Sequence, residues 1–218
     1  MWRQFPRPPI THWNYKAGFL SKHAETPADL YAKAGIYAEF GKIVCISVGC
    51  LQKQAQSGTE QFFLRSFYGV NERDLLGAFA EVARKWGLKS QFLCGHNIRE
   101  FDVPFICRRM MVHGIPLPPL LDLAGAKPWE VRHLDTLQHW KFGDYKHYTS
   151  LRLLADLFGI PSPKDDIDGS QVASVYYQEG DLVRIARYCE KDVVTVLRLV
   201  QAMRGESPLA DEQLVYKN

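Results

Sequence analysis

GHNIREFDVPFI, residues 95–106, begins where the short apolar run Phe92-Leu93-Cys94 stops and leads into an amphipathic segment. Polar groups crowd that junction: His96, Asn97, Arg99, Glu100 and Asp102. A strand running through a polar turn into a helix is the unit from which α/β folds are built. Two readings of Asp102 compete. It can cap a helix whose first turn holds Pro104, because proline is tolerated there and not further in. Alternatively, it can hold a metal or a water at the carboxyl end of a strand, where α/β sheets place their sites.

Working outward, Lys42-Ile43-Val44-Cys45-Ile46-Ser47-Val48 and Gln61-Phe62-Phe63-Leu64-Arg65-Ser66-Phe67 are β-branched or aromatic and read as strands. Residues 71–86 read as a helix capped by Asn71, with Leu75, Leu76, Phe79, Val82, Ala83 and Trp86 as its apolar stripe. A strand over 91–95 leads into a helix ending near His113, and residues 131–137 suggest another strand. Further helices are expected at 149–158, 170–178 and 180–203. Residues 1–35 contain Pro6, Pro8, Pro9 and Pro27 and are expected to be irregular, apart from a short helix started by Thr26-Pro27. The expected organisation is an irregular segment 1–35, a domain 36–203 and a tail 204–218. The class is α/β with a mixed sheet.

The chain has 218 residues, of which 46% are hydrophobic and 23% charged, enough for one full core and ordinary for a folded protein. A net charge of +3 permits a nucleic-acid partner without requiring one. The cysteines Cys45, Cys50, Cys94, Cys107 and Cys189 are odd in number and scattered, with no CxxC, which reads as buried free thiols in a reducing cytoplasm. No run approaches the ~20 apolar residues of a membrane span, and the first residues carry no apolar signal region. GxSxG, GxxxxGK and GxGxxG are all absent.

A second constellation lies in ARYCEKDVVTV, residues 186–196. On a helix, Tyr188 and Asp192 stand one turn apart on one flank of the stripe Leu182, Ile185, Ala186, Cys189, Val193, Val196, Leu197 and Val200. A half-buried acid there needs a partner or a metal. The opposite face, Arg184, Arg187, Lys191 and Arg198, is either solvated surface or a grip for phosphates. Asp135 in HLDTL reads as structural, and Asp165-Asp166-Ile167-Asp168-Gly169 as a solvated loop, because it lacks the later glutamate of a calcium loop.

Asn97-x-x-x-Phe101-Asp102 followed by Tyr188-x-x-x-Asp192 resembles the second and third motifs of the tyrosine-containing DEDD 3′–5′ exonucleases. The closer resemblance is to the predicted exonucleases related to the proofreading domain of family-B DNA polymerases. It is carried by AGIYAEFGKIVCISVG (34–49), GHNIREFDVPFICRR (95–109) and ARYCEKDVVTV, within residues 13–203. The resemblance implies a ribonuclease H-like three-layer fold and two divalent metals, Mg2+ or Mn2+. It implies that Asp192 binds metal directly, that Asp102 holds the second metal through water, and that Tyr188 orients the attacking water. His96, Asn97 and Phe101 would contact the 3′-terminal nucleotide of single-stranded DNA, a DNA 3′ end or RNA, and a separate polymerase or repair protein would be a partner.

The family's first motif, Asp-x-Glu on the first and central strand, occurs nowhere in this chain; the first acids are Glu25 and Asp29. A sheet without that strand would leave backbone groups unpaired, each costing on the order of 1–3 kcal/mol if buried. Two expectations follow. Either a start codon assigned too far downstream omits the first strand of an exonuclease, or the chain is a non-catalytic nucleic-acid-binding or structural module of the same fold. Glu39, just before the 42–48 strand, is the nearest acid to that region.

Overall fold

A computed structural model describes residues 10–21, 25–55, 58–87, 91–161 and 167–217. Both long strands form, the first starting three residues later and running five further than expected: β1 (Cys45–Lys53) and β2 (Glu60–Tyr68) are an antiparallel pair with Cys45 opposite Tyr68 and Lys53 opposite Glu60. Gly49 in β1 is required by close approach, since a Cβ there would lie 2.0 Å from the Phe62 ring. That ring packs with Leu64, Val194 and Leu209.

α2 (Glu72–Gly87) follows, with the Asn71 side chain accepting from the Arg73 and Asp74 amides, and Leu75, Leu76, Phe79 and Ala83 facing the main core. The core closes against α3 (Asp102–Val112) through Val103, Phe105 and Met110. Glu72 is buried at the junction. It accepts from the Ile43 amide (2.8 Å), Arg109 Nε and Nη2 (2.9 and 2.6 Å) and His113 Nε2 (2.8 Å), which ties the approach to β1, α2 and α3 together.

The other two expected strands shrink to β3 (Cys94–Gly95) and β4 (Leu134–Asp135), a parallel pair separate from the larger sheet. Expected strand 131–137 stops early because the Asp135 side chain accepts from the Leu137 and Gln138 amides and starts α4 (Thr136–Lys141). α5 (Leu151–Leu157) is capped by Ser150. The expected 170–178 helix is a single turn, α6 (Val172–Ser174), widened into a π-turn over Val175–Glu179. Asp181 caps α7 (Leu182–Met203).

α7 organises the molecule. It packs on β1 and β2, on β3, and on α5. The stripe read from the sequence is too narrow: Val194, Thr195 and Leu199 are buried as well, because the helix is enclosed from several sides. No strand precedes β1 among the described residues, and within them β1 is paired on one edge only.

Both chain ends depart from expectation. The segment expected to be irregular contains α1 (Ile10–Leu20), whose Trp13 and Ala17 pack on Leu30 and Ala34 while Trp13 Nε1 donates to the Pro27 carbonyl. Thr26-Pro27 begins a turn fastened by Asp29 rather than a helix, and a 3-10 helix over Tyr31–Ile36 follows. The expected tail carries β5 (Leu214–Lys217), parallel to β2, which makes the larger sheet mixed. Arg198 and Gln201 of α7 hold Leu209 and Asp211, and the Gln213 side-chain amide donates to the Glu60 carbonyl.

Candidate active site

Gly95 is the last residue of β3, and the chain then turns sharply. Asn97 takes a left-handed conformation, φ 60°, open to asparagine more readily than to most residues. Asp135 holds the turn from below: its carboxylate accepts from the Asn97 amide (2.9 Å), the Arg99 amide (3.1 Å), and the Leu137 and Gln138 amides of α4. This satisfies a fully buried acid and fits the structural role read from the sequence.

His96 is committed on both ring nitrogens. Nε2 meets the Thr149 carbonyl at 2.9 Å and must therefore carry the proton, while Nδ1 meets Thr136 Oγ at 2.9 Å. Burial holds its pKa below the usual histidine value, so the ring is neutral. Asn97 Oδ1 is buried and has no hydrogen-bond partner among the described residues. Phe101 is exposed at 43% and tilts against Phe105 at 5.8 Å.

Asp102 is the first residue of α3, and the cap position belongs to Phe101, whose side chain makes no capping bond; the capping reading of Asp102 is corrected. Its carboxyl is pushed up to about 6, first by the protein crowding around it, then by the charges of Asp135 and Asp192. The residue surface is exposed, so water screens part of this effect, and the direction is what matters. The fold thus brings the start of α3, the start of α4 and the middle of α7 into electrostatic contact through Asp102, Asp135 and Asp192.

Tyr188 packs among Ile167, Val175 and Ile185, and its hydroxyl lies beside Gly169. It shares the face of Asp192 one turn further on. Cys189 shares a hydrogen bond with Cys45 of β1, and the bond raises the Cys189 thiol and lowers that of Cys45. All five thiols are free, but none is fully buried, which corrects the burial expected of them. Of the acids nearest the missing first motif, Glu39 is exposed in the turn before β1, Glu25 pairs with Lys33, and Asp29 accepts from Thr26.

On the basic face, Arg184 pairs with Glu179 and Arg198 with Asp211, while Arg187 and Lys191 line an open groove with Glu190 and Tyr216. Asp168 accepts from Ser170 in a turn, as expected of a loop; Asp165 and Asp166 lie outside the described residues.

The donor set offers a hard cation two carboxylates, short of a complete site. Asp102 and Asp192 offer carboxylate oxygens, and Asp102 carries a charge that its neighbours oppose and a cation would relieve. Asp135 has most of its acceptor capacity committed to amides. Among the described residues no group of three or more His, Cys, Asp or Glu side chains could hold a metal ion.

A mixed α/β fold whose long helix α7 brings Asp192 within electrostatic reach of Asp102 is compatible with exonuclease domains. Residues 36–213 match the family described as predicted 3′–5′ exonucleases related to the exonuclease domain of PolB, and the chain belongs to that family. No curated protein matches it. No helix among the described residues is long and apolar enough to cross a membrane.

Proposed function

We propose that this protein is a metal-dependent 3′–5′ exonuclease that hydrolyses phosphodiester bonds at the 3′ ends of DNA or RNA. The observation that carries the reading is that α3 and α7 bring Asp192 within electrostatic reach of Asp102, whose carboxyl is raised first by crowding and then by the charges of Asp135 and Asp192. Asp102 and Asp192 would hold a divalent cation, which when bound supplies the positive charge that phosphodiester hydrolysis needs. Tyr188 orients the attacking water. Asn97 and Phe101 receive the terminal nucleotide, Phe101 with its exposed ring and Asn97 by shaping the turn behind it. His96 holds the turn in place for them.

The fold reading is ribonuclease H-like, with the sheet interrupted between β1 and β3. It is supported by a half-paired β1 and by two separate sheets lying against one helix. Among the described residues no group of three or more ligating side chains is assembled for either metal. The same shortage favours the other reading, a non-catalytic nucleic-acid-binding module. A reducing, cytoplasmic setting fits five free thiols, and a polymerase or repair protein is the partner that a proofreading role would involve.

The deciding experiment digests 3′-labelled and 5′-labelled oligonucleotides with Mg2+ or Mn2+. Stepwise release from the 3′ end, reduced at least about a hundredfold in Asp192→Ala, is expected of the enzyme. Intact oligonucleotide at every metal concentration would establish the non-catalytic module.

A further inference from the structure

Trp140-Lys141-Phe142-Gly143-Asp144-Tyr145-Lys146-His147-Tyr148 alternates rings with charges. Phe142, Tyr145 and Tyr148 are 86%, 89% and 66% exposed. Phe142 is more than a stray surface ring. It is an aromatic residue at φ 45°, a strained conformation for a side chain of its size, and α4 ends by turning it outward. A second short loop shows the same composition: Lys127 lies over the ring of Trp129, which is 77% exposed.

Both loops are tethered to the 95–102 turn. Arg99 Nη2 donates to the Pro128 carbonyl at 2.6 Å, and His96 Nε2 donates to the Thr149 carbonyl at 2.9 Å, with the Tyr148 ring packed edge-on to His96. The candidate active site is therefore bordered by two loops that expose rings with lysines beside them.

We infer that these loops form a binding surface for single-stranded nucleic acid, with Trp129, Phe142 and Tyr145 stacking on bases and Lys127, Lys141 and Lys146 facing phosphates. The inference rests on the proposed function, since it assigns the strand leading away from the 3′ end a place to lie. Lysines close to these exposed rings favour a polyanion over an apolar protein partner. Rings accept any base, so the surface is tolerant of sequence.

The test measures binding of a fluorescein-labelled single-stranded 12-mer to the full chain in EDTA, by anisotropy, at two salt concentrations. Wild type and Asp192→Ala are expected to bind alike, more weakly at the higher salt. Phe142→Ala and Tyr145→Ala should each weaken binding about fivefold or more, and Lys146→Glu should reduce the salt dependence. Equal affinity in wild type and the Phe142→Ala/Tyr145→Ala double variant overturns the inference, as does an absence of binding by wild type. So does self-association of wild type in sedimentation that the double variant abolishes, which would make this surface a protein interface. Ring-dependent binding without digestion removes the nuclease reading alone; digestion with ring-independent binding removes the surface alone.

Discussion

Asp102 is where charge, position and function meet at the scale of one residue. Its carboxyl, at about 6, lies above the ordinary aspartate value of about 3.9. Between those values the folded protein keeps a proton that the unfolded chain has released, so stability falls as pH rises through this window and stays reduced above it. Asp102→Asn should therefore raise the melting temperature at pH 7.5 in EDTA by about 2 °C, discounted for solvent screening, and leave it unchanged at pH 4. A lower melting point at both pH values would show that Asp102 stabilises the fold instead. Under the proposed function the proton would compete with a cation, so nuclease activity should increase from pH 5 to 7 in initial-rate assays. Asp102, Tyr188 and Asp192 can be proposed from the sequence because each motif is local and its spacing is set by a turn or a helix. The hold of Asp135 on the Asn97 and Arg99 amides is not, since those partners are far apart in the chain.

At the scale of the element, the long helices and the β1–β2 pair are readable from apolar periodicity and β-branched runs. The short strands read as longer than they are because capping chemistry ends them: Asp135 turns a candidate strand into the start of α4. α1 is obscured by the prolines before it, although Trp13, Ala17 and Leu20 fall on one helical face. Gly49 carries the sharpest element-level prediction. An added methyl would meet the Phe62 ring well inside contact distance, so Gly49→Ala should cost about 1–3 kcal/mol in urea unfolding. An unchanged midpoint would mean that the ring rotates away freely.

For the whole molecule, Glu72 of α2 joins the approach to β1 and the end of α3 through donors from three residues, Ile43, Arg109 and His113. Burial raises its carboxyl, but Arg109, the Ile43 amide and His113 outweigh that and hold it below the usual glutamate range. Its contribution is thus full above the ordinary glutamate pKa and is lost as pH falls through the depressed value. Glu72→Ala leaves Arg109 without its buried partner and should cost about 3–5 kcal/mol in denaturant unfolding. A loss below about 1 kcal/mol would show the network to be well hydrated. This network escapes sequence reading because nothing local distinguishes Glu72 from Asp74, the other acid of the first helical turn.

The seating of β5 against β2 also governs how the protein reaches its native state. Phe62 and Leu214 become neighbours only after most of the chain between them has been organised, and closing so large a loop is entropically unfavourable until then. Strand addition at this edge is expected after the rate-limiting step of folding, once α7 has docked on β1 and β2. Weakening it, as by Leu214→Ala, would leave the refolding rate nearly untouched and speed unfolding instead.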